Sequence, residues 1–379
     1  MIKNIYHNGI VERPIKDKDP QLVYFSNDDL GGYIKNNAGD FFLWDRVNSN
    51  TAMHNLIKRY PTSRKKYLSI LRKAIKNNKN IKFTTLSAAD GSIPGFEQNS
   101  PVQLKLIGPI TEKVKNNTKS RNCLLKLGNE GVTKNGHSLV LQLLIGELKV
   151  MLGGDLNTEA EDYLLKHYTQ TNRHSSKLEK RVAKLKAKGN KATFSEIEEL
   201  AEIEAELKLI VMKGRRYFQA DITKACHHGS HHFSETFLKA INAIVTVVSS
   251  GDKESYAHPR PDALGAFGKY SRGTRPLIFC TELARNTKEF NHIYDYFIQL
   301  QEFEEKINEA TSKQEKKKIR KEMQKKKDRN VVVYGMITLR TNGEKVVLAQ
   351  KLEVEGGKGN KWDIHELYFN QNLGEFQSI

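Results

Sequence analysis

The chain has 379 residues, room for two or three domains at roughly 150 each, and its 62 Lys+Arg against 44 Asp+Glu leave a net charge of +18. That surplus suits a polyanionic partner such as nucleic acid, or else a lysine-rich solvated surface; the 38% hydrophobic share excludes wholesale disorder and supports a real core. Three dispersed cysteines exclude a disulfide framework and a zinc ribbon, and with no signal-like or membrane-length apolar run a cytoplasmic location without a membrane span is expected.

Taken in chain order, Met53–Tyr60 and Arg64–Lys76 read as helices, and Ile81–Leu86 and Val102–Ile107 as short strands. Ser138–Leu144 and Leu148–Leu152 form an apolar hairpin around Gly146, and the second strand runs into Gly153-Gly154-Asp155. Thr158 and Glu161 have the spacing of a capping box that opens the next helix. Residues 172–214 read as a charged helical hairpin, with Leu178, Val182 and Leu185 on its first helix and Ser195 with Glu198 opening its second. Their length and charge predict a solvated insertion outside the core.

Strand and helix then alternate, as in a layered α/β fold. A strand at Asp221–Cys226 ends in His227-His228-Gly229-Ser230. It is followed by a helix (Ser234–Ile241), a buried strand (Ala243–Ser249), a His258-Pro259 loop, a helix from Pro261 and a strand at Pro276–Cys280. A second helical pair over about 290–327 carries ten basic and three acidic residues between Lys313 and Arg329. The chain closes with Val331–Arg340 and Lys345–Val354, joined through the hairpin dipeptide Asn342-Gly343. The expected division is an α/β domain at 1–289, a basic helical pair at 290–329 and a β segment at 330–379.

Asp155, His227 or His228, and His258 each lie at or just after a predicted strand end, where a rigid sheet can present side chains to one cleft. Carboxylate and neutral imidazole are ligands for zinc and similar divalent cations, which lower the pKa of bound water toward neutrality. The spacing alone leaves other readings open: a turn residue for Asp155, a chance histidine cluster for the rest.

The stretch from Asn135 to about Tyr270 resembles the second half of a metallo-β-lactamase-fold hydrolase of the ComEC-like branch. The resemblance rests on Ser138-Leu139-Val140-Leu141, Gly154-Asp155-Leu156 with Glu159 and Glu161, His227-His228-Gly229-Ser230, and Tyr256-Ala257-His258-Pro259. It implies an αββα sandwich with two helical-hairpin excursions and a C-terminal β segment. It also implies two divalent metals (zinc, or manganese) at Asp155 and His227, with His228 the alternative ligand. His137 resembles a further metal-binding histidine, although a polar strand-entry residue is an equal reading. His258 would line the cleft at the scissile phosphate, with Ser230 and Lys224 as supporting or phosphate contacts.

The family's HxHxDH motif is absent from these 379 residues. The first strands of the sandwich are therefore expected to be missing, through a fragmentary chain, a partner supplying the other half, or a non-catalytic member. A sheet left open in this way should expose apolar surface beside Leu139–Leu144 and Leu148–Leu152. The expected function is metal-dependent phosphodiester hydrolysis on a polyanion such as DNA, and with HxHxDH absent this chain alone is expected to bind metal poorly and turn over little. The alternative is a nucleic-acid-binding or assembly subunit using the helical arms, with Lys316–Lys318 and Lys325–Lys327 along the phosphates.

Overall fold

The computed structural model describes residues 2–15, 18–251, 256–273, 275–281, 293–330, 336–356 and 360–378. The N-terminal part runs β1 (Asn4–His7), β2 (Tyr33–Lys35), β3 (Phe41–Leu43), α1 (Asn50–Arg59), α2 (Lys66–Asn77), β4 (Lys82–Thr85), β5 (Val102–Gly108), β6 (Glu112–Asn116), β7 (Lys119–Leu125) and α3 (Glu130–Gly136). The central part runs β8 (Val140–Ile145), β9 (Leu148–Leu152), α4 (Thr158–Thr169), α5 (Ser175–Lys186), α6 (Phe194–Phe218), β10 (Ile222–Lys224), α7 (Glu235–Ile241), β11 (Val245–Val248), α8 (Pro261–Tyr270) and β12 (Leu277–Cys280). The C-terminal part holds α9 (Ile293–Glu309), α10 (Lys313–Asn330), β13 (Ile337–Thr341), β14 (Lys345–Gly356), β15 (Asn360–Asn370) and β16 (Glu375–Ser378).

The centre is a six-stranded sheet in the order β12-β11-β10-β9-β8-β5. Strands β9 to β12 are parallel, whereas β8 and β5 are antiparallel. Side chains alternate across a strand, and here both faces are apolar. Met151 and Val140 point to one side, where they join Leu164, Leu165, Phe218 and Phe237 of α4, α6 and α7. Leu148, Val150, Ile222, Val245, Leu277 and Phe279 point to the other and meet Val346, Leu348, Leu367 and Phe376 of an antiparallel sheet, β13-β14-β15-β16. The tips of the two hairpins meet as well. Gly146 and Gly343 both have positive φ, Glu147 N donates to Gly343 O at 3.1 Å, and a Cβ on Gly146 would lie 2.9 Å from Gly343 Cα.

A second sheet element, β1 paired in parallel with β4, covers the β5–β8 end. Tyr6 and Leu86 pack with Leu104, Leu106, Leu139 and Leu141, while Ile5 and Phe83 face Met53, Ile57, Leu68 and Leu71 of α1 and α2. The layers at this end therefore run helix pair, two-stranded sheet, six-stranded sheet, helices. A separate antiparallel sheet, β2-β3-β7-β6, completes the N-terminal part.

Mixed α/β architecture follows the sequence reading, but three expectations are corrected. The face beside Leu139–Leu144 and Leu148–Leu152 is not open: every residue in those two runs except Lys149 is buried or half-buried, because β1, β4 and the C-terminal sheet cover them. The α5–α6 hairpin exists, yet it is not a solvated arm. Leu178, Leu185, Ile203 and Ile210 are each at most 2% exposed and belong to the main core. The charge pattern hid this because one apolar stripe per helix suffices for burial while the other faces stay charged. Finally, the caps differ. Asn157, not Thr158, caps α4 through Ala160 N, and the box opening α6 is Thr193 with Glu196 rather than Ser195 with Glu198.

Glu161 is thereby released for another task. It is fully buried, its Oε2 accepts from Ser234 N at 2.6 Å, and burial pushes its carboxyl well above the usual carboxylate range. Beside it, Glu179 of α5 accepts from Ser234 Oγ and Thr236 N, binding the hairpin to the start of α7. Of the predicted strand Val331–Arg340, residues 331–335 lie outside the described residues, as do the side chains of Lys325, Lys326 and Lys327. Among the described residues no helix is long and apolar enough to cross a membrane.

Truncating the inner face of the hairpin tests this account. Ile203→Ala and Ile210→Ala should each lower unfolding stability by about 2–4 kcal/mol, the cost of an aliphatic cavity in a packed core. The measurement is the denaturant midpoint at constant slope; losses below about 0.5 kcal/mol, typical of surface sites, would restore the solvated arm.

Candidate functional site

Three parallel strands end at one edge of the central sheet, and each contributes. After β9 comes Gly153-Gly154-Asp155, after β10 Ala225-Cys226-His227-His228, and after β11 Ser249. The loop at Tyr256–Pro259 closes over the same edge. It contains Ala257 in the left-handed region and a cis peptide between His258 and Pro259.

The turn after β10 has an unusual backbone. His227 (φ 46°, ψ 43°) and His228 (φ 56°, ψ 23°) are both left-handed, and Gly229 follows at φ 76°. Each non-glycine residue held there costs on the order of 1 kcal/mol, which surrounding bonds must offset. Those bonds are present: His227 N donates to Gly154 O at 3.1 Å, Ser230 N to His227 O at 2.9 Å, and Ala225 N to Val247 O at 2.8 Å. Lys224 Nζ adds bonds to Gly154 O and Ala225 O, both at 3.0 Å. The result is a turn that presents two successive imidazoles at the strand ends.

Of the two, His228 is the ring that reaches Asp155, with Nε2 3.3 Å from Oδ1. Its other nitrogen, Nδ1, lies 2.6 Å from Ser249 O. A carbonyl can only accept, so Nδ1 carries a proton, and Nε2 is the nitrogen turned toward Asp155. A backbone carbonyl fixing the tautomer of a ligating histidine is a common feature of metal sites. Asp155 is held from behind, its N–H donating to Ser138 Oγ at 3.0 Å. Gly154 (φ 60°) fits only as glycine, since a Cβ would sit 2.6 Å from Ser138 Cβ.

Two ligand atoms each about 2.0–2.1 Å from one ion, at a near-tetrahedral angle, are about 3.3 Å apart. The Asp155–His228 separation matches that value, so the pair fits as two ligands of a single divalent cation. Among the described residues no group of three or more His, Cys, Asp or Glu side chains is gathered as a metal cluster.

His227 stands next to this pair. Its Nδ1 is buried without a hydrogen-bond partner, and burial is the main cause lowering its pKa, opposed by the nearby Asp155 charge. Its ring meets that of His258 edge to face at 5.7 Å, and Tyr256 stacks on His258 at 5.9 Å. His258 is 6% exposed, so it lines the edge from within. Ser230 is buried and accepts from His232 N at 3.3 Å, a turn-forming role. Lys224 is likewise occupied with loop carbonyls rather than directed outward.

His137 is placed differently. It is 1% exposed and its Nε2 lies 2.7 Å from Leu125 O, tying the end of β7 to the C-terminal end of α3, just before β8. Asn8 Nδ2 donates to its carbonyl at 2.7 Å. This is the geometry of an enclosed, hydrogen-bonded histidine, the strand-entry alternative of the sequence reading. Sequence reasoning had no signal for Ser249, whose contribution is a backbone carbonyl that any residue could supply. No family model, curated protein or solved structure matches the chain.

Two enclosed histidines make stability pH-dependent. Burial, with Arg46 adding to it, lowers His7 to about 4, and burial lowers His137 to about 4 against the opposing Leu125 bond. The unfolded chain takes up these protons near pH 6.5 and the folded chain only near 4, so stability is complete above 6.5 and falls as pH drops toward 4. The expected loss from pH 6.5 to 5 is about 2 kcal/mol per histidine. His7→Asn, which can still accept from Gly9 N, should remove its share, as read from denaturant midpoints across that range; an unchanged slope would refute the assignment.

Proposed function

We propose that the chain is a metal-dependent hydrolase of the metallo-β-lactamase-like class, acting on a phosphodiester of a polyanion such as nucleic acid. The observation that carries the reading is the Asp155–His228 pair, at ligand spacing with its imidazole tautomer fixed by Ser249. Support comes also from the layer order of helices, two sheets and helices at the β1–β4 end, which is that of an αββα sandwich, and from the net charge of +18. In this reading Asp155 and His228 would hold the cation. A divalent cation in such a place supplies Lewis acidity and a water acidic enough to ionise near neutral pH.

The chain's own residues supply the rest. His227, kept neutral by burial, lies beside Asp155 and can take a proton from a water at this edge. His258, on the far side of His227, is positioned to hydrogen-bond a phosphate oxygen or the departing oxygen, and Tyr256 fixes its ring plane. Lys224 and Ser138 are positioning residues, holding the Gly154 carbonyl and the Asp155 amide.

The test is calorimetric titration with manganese and zinc, alongside hydrolysis of bis(p-nitrophenyl) phosphate and of single-stranded DNA. Wild type should bind metal and hydrolyse; Asp155→Asn and His228→Gln should each weaken metal binding and turnover by at least about tenfold, as loss of one of few ligands requires. DNA binding without metal uptake or hydrolysis would replace this reading with a nucleic-acid-binding subunit.

A further inference from the structure

Helix α6 buries one side against the core, and between the charges of its outward side it carries a second apolar stripe. Phe194, Ile197, Ala201, Ala205, Leu209 and Met212 recur every three or four residues and are all exposed, Phe194 by 75%, Met212 by 58% and Ile197 by 54%. At 100° and 1.5 Å per residue they form one line about 27 Å long. The inner stripe of Ile203, Ile210 and Phe218 lies on the opposite side and is buried. Core packing therefore does not account for the outer one. A contiguous apolar face of this length on a water-exposed helix marks a contact surface.

The charges along α6 divide in the same way. Glu196, Glu199, Glu204 and Glu206 pair with Lys188, Arg181, Lys186 and Arg173 of α5 and the segments flanking it. Glu198, Glu202, Lys208 and Arg216 border the outer stripe instead, and among the described residues their side chains form no ion pair or hydrogen bond. Glu198 and Arg216 stand about five full turns apart, so they point in one direction from opposite ends of the stripe.

A surface that meets an acid near the start of this face and a base near its end must carry its own charges in the reverse order. The same face of a second copy, laid antiparallel across a two-fold axis level with Leu207, does so. Each Glu198 then meets Arg216 of the second copy along one edge, with Glu202 one turn further on. Along the other edge Lys208 comes beside Glu204 of the second copy. In the middle Leu209 lies opposite Ala205 and Met212 opposite Ala201, large side chains against small ones, which lets the two helices approach.

We propose that α6 is a homodimer interface, two copies of the chain packing antiparallel through this stripe with Glu198 of each against Arg216 of the other. A single helix pair is a small interface, so the dimer is a weak one, in the micromolar range. The inference does not rest on the hydrolase reading, because none of the strand-end residues takes part and the test reads mass rather than turnover.

The full chain is followed by sedimentation velocity over a concentration series spanning the micromolar range. Its mass should rise from 43.3 kDa toward twice that value. Met212→Gln and Ile197→Gln, at opposite ends of the stripe, should each weaken dimerisation at least about tenfold. Their melting temperatures at low concentration should be unchanged, because both side chains are exposed in the single chain. Glu198→Arg or Arg216→Glu alone should weaken it by about tenfold or more, through like-charge contacts repeated on both sides of the axis. The two reversals combined should restore it to within about threefold of wild type. A monomer at every concentration, a dimer indifferent to both glutamine variants, or a doubly reversed variant no better than the single ones would each overturn the proposal.

Discussion

The structure depends on a six-stranded sheet that must be covered on both faces. A parallel sheet with aliphatic residues on each side leaves no face for water, and the elements packed on it are placed by which face they cover. Helices α4, α6 and α7 take one side; the C-terminal antiparallel sheet and the β1–β4 pair take the other. Each aliphatic side chain buried this way contributes roughly 1.5–3 kcal/mol, and ten strand residues do so. The pairing of Arg272 with Glu375 of β16 at 3.9 Å, and the bond from Gln350 Nε2 to Cys280 O at 2.7 Å, then link the two sheets.

This covering also explains why the α5–α6 hairpin cannot be separated from the rest. Its charged faces carry surface pairs such as Arg173–Glu206, which contribute little. Its inner stripe closes the core over α4 and α7. The carboxylates of buried Glu161 and half-buried Glu179 work in the same place, accepting from the amides at the start of α7. An unpartnered helix start in that setting would leave several donors unsatisfied.

The strand ends are rigid for a related reason. Parallel strands of similar length finish at one edge, so short loops from different strands are forced together there. Two successive left-handed histidines are tolerated only because carbonyls of neighbouring loops hold them. Gly154 O, Ser249 O and Val247 O come from the turns after β9 and β11 or from β11 itself. A loose sheet would let this turn relax into an ordinary conformation and carry His228 away from Asp155.

The apolar periodicity of Leu148–Leu152, Ala243–Val248 and Pro276–Cys280 determined the central strands within one or two residues, and the strand-end positions of Asp155, His227, His228 and His258 followed. Asn342-Gly343 likewise determined its hairpin. These are local properties: alternation, chain length and turn chemistry act over a few residues. Which imidazole meets Asp155 was open until neighbouring strands placed Ser249 O against His228 Nδ1. The enclosure of His137, the burial of the α5–α6 stripe and the covering of the apolar sheet face by β13–β16 were equally undetermined. Each is a contact between distant segments, and the sequence encodes such contacts only through the sum of many packing choices, which the tertiary structure alone resolves.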